Sequence, residues 1–463
     1  MKRFLRAATE NRSLAGAFLV AACSTPAPSG TTTNDGGSDG GDYTVVPPKD
    51  GGGDSGKDSG TSGKWTKVPG QLSTQRGLFT SLPHAITSKD GRVLFVGGGS
   101  SAAKNTVDIY TNGALAAGTA LNTARQQPGV VVLADGSVLA VGGNTGGSAG
   151  TALSSIERWD SATGAWTALT SSLSKARAKV PLARMSDGRI FAVGGEVSSA
   201  SFATEIELID PSQNFAVWTA GTMTTARSGH VGAPLPDGRI LIAGGATGTS
   251  SGTSTEIFTP GATGTTGTIA AGPAMANAHS GTNASVLTTG AIMIAGGCTG
   301  GASCAGTSAL CDVYTPVTGQ AGTFASVASL GTASAAHAMI LLPTGRILVA
   351  GGYDGTGALT RVEIYDPATN TWTVAASLNE SRYDAGIAIT SDGKVLIAGG
   401  RTGSISTATF LYSAEMFDPG LPTSCKICQL DGSCLTLATG TACDDGSPST
   451  TGETCKANGT CAP

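Results

Sequence analysis

Apolar residues in this chain gather in short unbroken runs, not in widely spaced stripes. Runs such as Ile240-Leu241-Ile242-Ala243 and Val395-Leu396-Ile397-Ala398 have the length of one strand, and their lack of alternation predicts strands buried on both faces. Seven such runs end in a glycine pair, at Gly97-Gly98, Gly142-Gly143, Gly194-Gly195, Gly244-Gly245, Gly296-Gly297, Gly351-Gly352 and Gly399-Gly400, spaced by 45, 52, 50, 52, 55 and 48 residues. A period near 50 residues is the mark of a repeat architecture. Before each run stands a turn pair: Asp90-Gly91, Asp135-Gly136, Asp187-Gly188, Asp237-Gly238 and Asp392-Gly393, with Thr289-Gly290 and Thr344-Gly345 in the other two copies. These predict hairpins, because glycine supplies the positive φ that tight primed turns need.

A second strand follows each glycine pair, seen most fully as Val362-Glu363-Ile364-Tyr365-Asp366-Pro367. Its acidic position is filled in every copy, by Asp108, Glu157, Glu207, Glu256, Asp312, Glu363 and Glu415, and an aromatic or apolar residue comes two later. A turn then leads to a strand that often opens on Trp. This arrangement resembles the kelch repeat, with its glycine doublet, its spaced Tyr and Trp, and its four-stranded blade. The resemblance runs from residue 65 to 419 and implies an all-β fold, a seven-bladed kelch-type β-propeller. Trp65-Thr66 matches Trp166-Thr167, Trp218-Thr219 and Trp372-Thr373, which begin the last strand of a blade, whereas no such strand follows Phe417-Asp418-Pro419. The N-terminal strand is therefore expected to complete blade seven and leave the ring without an open edge.

The ends of the chain have another character. Lys2, Arg3, Arg6 and Arg12 precede an apolar segment, Leu14 to Ala22, too short to span a bilayer. The run Leu19-Val20-Ala21-Ala22-Cys23 resembles a bacterial lipoprotein signal, which implies lipidation of Cys23, and Ser24 after it favours an outer-membrane lipoprotein, periplasmic or surface-facing. Residues 24–63 are almost wholly Gly, Ser, Thr, Asp and Pro, a composition that cannot bury enough apolar surface to offset its ordering entropy. The expected divisions are a signal peptide at 1–22, a lipidated cysteine and disordered linker at 23–63, the propeller at 64–420 and a cysteine-rich tail at 421–463. Cys425, Cys428, Cys434, Cys443, Cys455 and Cys461 crowd that tail, so three disulfides are its natural staple, in any of fifteen pairings. The tail resembles short cysteine-rich modules of secreted myxobacterial proteins. Cys298, Cys304 and Cys311 allow one further bridge and leave one thiol.

Charge narrows the function. A formal net charge of -4 with 13% charged residues excludes a basic nucleic-acid binder, and no apolar stretch is long enough for a membrane-spanning helix. The copper enzymes that resemble galactose oxidase share a seven-bladed kelch ring but use an adjacent Tyr-His pair, which this chain lacks, so no cofactor or metal is expected. No nucleophile elbow, zinc helix or phosphate loop occurs either. The seven acids stand one per blade and are expected to accept from backbone amides or from the aligned Arg76, Arg125, Arg177, Arg227 and Arg382.

The variable segments after the glycine pairs should form the recognition face. There Glu196, Tyr353, Asp354 and Arg401 are the candidate binding residues, with Arg382 beside them. The sequence thus favours a lipid-anchored module that binds protein or glycan at the cell envelope over an enzyme, with the anchor as its only membrane contact. The alternative is a propeller enzyme acting on cell-surface sugars, of epimerase or glycan-processing type. A pocket near the ring axis containing two carboxylates, or a carboxylate and a histidine, would favour it.

Overall fold

The computed structural model describes residues 63–463 except 78–84, 100–101, 147–149, 199–200, 249, 301–303 and 446–451. The signal segment, Cys23 and the linker to residue 62 lie outside the described residues.

Seven four-stranded antiparallel sheets make up the ring. In blade two the order from the axis outward is Gly129–Val132, Val138–Val141, Ser155–Trp159 and Trp166–Ser172. The second strands are the apolar runs of the sequence, and Val138 to Val141 and Ile190 to Val193 are wholly buried, as their continuous hydrophobicity requires. Blade seven takes its outer strand from the other end of the chain. Trp65–Lys67 pairs with Ala414–Phe417, in the register Trp65 with Phe417 and Lys67 with Glu415. The rings of Trp65 and Phe417 lie 5.1 Å apart, and Asn379 Nδ2 donates to the Trp65 carbonyl at 3.1 Å.

The glycine doublets stitch one blade to the next. The second glycine of each doublet donates its N–H to the carbonyl of the residue aligned with Arg125 in the next blade: Gly98 to Arg125 at 2.9 Å, Gly143 to Arg177 at 3.0 Å, Gly245 to His279 at 2.8 Å, and Gly400 back to Arg76 at 2.6 Å. A Cβ on Gly97 would stand 2.6 Å from the Arg125 carbonyl, and φ there is +62°, so neither the space nor the backbone admits another residue.

The acid of each third strand anchors the segment that leads into its own blade. Glu157 accepts from the Arg125 guanidinium at 2.7 Å and from the backbone N–H of Asn122 at 2.6 Å, and Glu415 accepts from Arg382 at 2.8 Å and from Asn379 N–H at 2.7 Å. In blade five the cation is replaced by His279, 3.3 Å from Asp312. In blade six, where Ser334 holds the place, Arg361 reaches Glu363 from the same strand segment. Burial pushes the Glu157 carboxyl up, but the hydrogen bonds from Arg125 and Asn122 outweigh it and hold the group below the usual carboxylate range. The acids are thus struts distributed around the ring.

Three disulfides staple the tail, Cys425–Cys455, Cys428–Cys434 and Cys443–Cys461, and Cys298–Cys304 closes the blade-five loop. Cys311 keeps a buried free thiol, which burial pushes up to about 12. The tail packs on the face of tight Asp-Gly turns. Ile427, Leu435 and Leu437 join a core shared by blades five, six and seven, Thr423 N–H donates to the Pro343 carbonyl at 3.1 Å, and Ala438 N–H to that of Ser391 at 2.9 Å.

Candidate functional site

The opposite face carries the long segments after the doublets. There six of the blade entries are each turned by one residue in the left-handed region: Gln127, Lys179, Gly229, Gly281, Ala336 and Asp384, with φ from +52° to +61°. These residues are linked to one another across blades, Lys179 N–H to the Gln127 carbonyl at 3.1 Å, Gly281 to Gly229 at 3.1 Å and Asp384 to Ala336 at 2.8 Å. The residue after each doublet sits against this rim. Glu196 Oε2 is 2.6 Å from Lys179 Nζ, and Asn144 Nδ2 donates to Gln127 Oε1 at 3.1 Å.

Two of the sequence candidates are brought together. Tyr353 and Tyr383 have ring centroids 5.5 Å apart, and the Arg401 guanidinium lies 4.7 Å from the Tyr383 ring while its Nε and one terminal nitrogen donate to Asp384 Oδ2. Tyr353 and Arg401 are buried, and the Tyr353 hydroxyl donates to Gly355 O at 2.7 Å. Asp354 caps its own turn, accepting from Thr356 N–H at 2.8 Å and Gly357 N–H at 2.9 Å. Glu196 belongs to blade three, away from this pair. Arg382 lies inside blade seven, fully buried, donating to Glu415 and to the Gly399 carbonyl at 2.7 Å.

The axis holds the feature that local sequence does not announce. A cavity of about 140 Å³ runs along it, walled by the inner strands through apolar groups such as Ile86, Val231, Met339 and Ile387. Its floor is the tail. The hairpin Lys426–Cys428 and Cys434–Thr436, clamped by Cys428–Cys434, pushes its turn into the ring, so that Gln429, Leu430, Asp431 and Ser433 line the cavity. Arg184, the last residue of blade three's inner strand, fixes that turn: its N–H donates to the Asp431 carbonyl at 2.7 Å and its guanidinium to Gly432 O at 3.0 Å. Gly432 has φ +75°, and a Cβ there would run into the Arg184 carbonyl.

Two polar groups of the cavity stand out. Burial pushes the Asp431 carboxyl above the usual range, against the hydrogen bonds from Ser433 and the nearby Arg184, which hold it down. The Ser285 hydroxyl in the wall is buried with no hydrogen-bond partner. His230 also borders the cavity, but at the far end, just before blade four's inner strand, and a Cβ on Gly194 would stand 2.7 Å from its ring. The cavity therefore contains a carboxyl and a histidine without pairing them. Asp431, Arg184 and Ser285 were not among the sequence candidates; the only local sign was an Asp-Gly turn between Cys428 and Cys434.

Comparison with known proteins places these features. The kelch motif pattern matches residues 128–172 and 343–379. Kelch-like protein 35 of Homo sapiens is 38% identical over 85 residues, 18% of this chain and 14% of that protein, and its Mus musculus counterpart is 33% identical over 97 residues, 21% and 16% of the two chains. The chain thus spans less than a fifth of the length of these curated relatives. A fungal alcohol oxidase of the AA5 family in complex with copper superposes with a TM-score of 0.62 at 20% identity, covering 78% of this chain and 77% of that one. YjhT superposes with a TM-score of 0.51 at 14% identity, covering 66% and 99%.

The expectation of a non-catalytic module is corrected by these superpositions. The ring is shared with an oxidase, so the lack of a linear catalytic motif does not argue against catalysis. Among the described residues, however, no group of three or more His, Cys, Asp or Glu side chains stands at this axis to hold copper. The His230 ring is packed between blades, and among the described residues the clusters of three or more His, Cys, Asp or Glu side chains all lie in the tail.

Proposed function

We propose that this kelch-repeat, seven-bladed propeller is an enzyme acting on cell-surface sugars, which enter the axial cavity from the face of long loops. The tail closes the other face. Asp431 is the general acid in this reading, and its enclosed carboxyl on the cavity floor, held protonated to higher pH than an ordinary aspartate, is the observation that carries it. Arg184 and the Ser285 hydroxyl supply hydrogen bonds to substrate oxygens, and the apolar wall favours the flat face of a sugar ring.

The test is turnover by the purified chain on a panel of envelope saccharides, with Asp431→Asn beside it. Asn keeps the oxygen that accepts from Ser433 N–H at 2.9 Å. A carboxyl raised in the folded state gives stability that is full below its unfolded pKa of ~3.9 and is lost as pH rises, so near neutrality the variant should fold at least as well. Turnover should fall at least ~100-fold, the lower range for a general acid. Undiminished turnover in Asp431→Asn, or none in the wild type, would refute the assignment.

A second reading puts a protein or glycan on the rim, where Glu196 and Asp354 are partly exposed, while the buried Tyr353, Tyr383, Arg401 and Asp384 group packs behind it. Arg401→Ala would uncover the Asp384 carboxylate and cost stability, so Glu196→Ala and Asp354→Ala, each partly exposed, are the cleaner variants for affinity measurements. The cell-envelope placement belongs to the same proposal: Cys23→Ala should release the protein from the membrane fraction.

A further inference from the structure

The hairpin that floors the axial cavity is held by a bond that lies open to solvent. Its strands, Lys426–Cys428 and Cys434–Thr436, are three residues each, and in both the middle residue is buried while its neighbours are exposed. Ile427 and Leu435 therefore face the ring. Cys428 and Cys434, opposite one another in the register, set their disulfide on the outer side. The other bridges are sheltered: Cys298, Cys304, Cys425, Cys443 and Cys455 are buried and Cys461 is half-buried. Thiol–disulfide exchange needs a thiolate to reach a sulfur, so access ranks these bonds, and exposed bridges are the labile, regulatory ones.

Beyond the bridge the chain runs Gln429-Leu430-Asp431-Gly432-Ser433 along the cavity floor. Separate parts of the ring hold it there. Arg184 of blade three donates to the Asp431 and Gly432 carbonyls, Leu430 packs on a core between blades four and five, and Gln429 Nε2 donates to the Leu341 carbonyl of blade six at 3.4 Å. Within the turn Gln429 N–H donates to Ser433 O at 2.8 Å and Gly432 N–H to Gln429 O at 3.0 Å. These bonds require the two ends of the turn to stay side by side. A two-stranded hairpin of this length is marginal by itself, and opening its cross-link returns the conformational freedom that the bridge removes.

We propose that the Cys428–Cys434 bridge is a redox latch on the axial cavity, which when closed sets the floor and the place of Asp431 and when opened lets the turn leave its seat. The co-reactant is a dithiol. One of its thiolates attacks an exposed sulfur, forming a mixed disulfide and releasing the other cysteine as a thiolate; its second thiol then frees the first cysteine and closes the reagent's own disulfide. Two electrons pass from the dithiol to the bridge, both cysteines end as thiols, and oxidation reverses the change. The effect on turnover rests on the reading of Asp431 as general acid, whereas the latch itself does not.

Graded treatment of the full chain with dithiothreitol, quenched by iodoacetamide and read by peptide mass spectrometry, tests access. Cys428 and Cys434 should be alkylated at least ~10-fold faster than the other six bridged cysteines. Hydrogen exchange then tests the floor: the Gly432 and Ser433 amides should exchange at least tenfold faster in the selectively reduced protein and in Cys428→Ser/Cys434→Ser, while the inner strand Val231–Pro234 keeps its protection. If the double variant does not fold, the selectively reduced wild type alone decides. Turnover on the saccharide panel should fall on reduction and return on reoxidation; a loosened turn with unchanged turnover would support the latch and remove Asp431 from the chemistry. Reduction of another bridge first or at an equal rate, or equal exchange of the turn in both forms, would overturn the latch.

Discussion

Each blade solves the same local problem, a chain segment that must turn inward without leaving its amides bare, by aiming one carboxylate at it. Because the Arg125 and Glu157 side chains are both wholly buried, the pair is there to satisfy the turn and not to add surface charge; breaking one partner would strand the other. His230 and His337 stand three residues past the position aligned with Arg125, at the entries of blades four and six. His230 and His337 are pushed down to about 3 and about 4, chiefly by burial, so both are neutral in the folded ring. Unfolding returns them to about 6.5. Their folded pKa is depressed, so the stability they contribute is full above ~6.5 and is lost as pH falls from there toward 4, with unfolding taking up two protons. The melting temperature of the wild type should therefore decline between pH 7 and 5, before the carboxylates titrate, and the decline should flatten in the double variant His230→Phe/His337→Phe. Parallel profiles would show that these histidines titrate alike in both states.

At the level of elements, the strand Trp65–Lys67 is the one whose neighbours in space are farthest away in sequence, its carbonyl and side chains meeting Asn379, Met416 and Phe417. Removing residues 64–75 would bare the edge of Ala414–Phe417 and the apolar side chains beneath it, whereas removing 24–62 touches no described strand. The first truncation should melt well below the second, and equal midpoints in a thermal scan would contradict the closure. This strand was legible because Trp65-Thr66 repeats a phrase found in three blades. So were the doublets, turns and acids, whose meaning is set by neighbours a few residues away and reinforced by repetition. Asp431 was not legible. Its environment is made by Arg184, in a different blade, and by a cavity that exists only once seven inner strands converge. The partners of Glu196 and Arg401 were hidden for the same reason, since Lys179 and Asp384 come from the preceding corner and follow no shared residue type.

The whole molecule has two unlike faces, one covered by its own C-terminal segment and one built from the long segments after the doublets, and the blades between them differ little. The exception is blade five, the only one that carries cysteines. In the finished ring Cys311 is inert, because at neutral pH a thiol held near 12 offers about one thiolate in 10⁵. That protection does not exist while the chain is unfolded. There Cys311 has an ordinary pKa near 8.5, sits seven residues from Cys304 and can compete with Cys298 for it. Oxidation must therefore follow the burial of blade five, or mispaired chains accumulate that the native thiol is too unreactive to rescue. Oxidative refolding of Cys311→Ala should give a single disulfide isomer in higher yield than the wild type, with little change in melting temperature. Equal yields would mean that this ring folds before its bridges form.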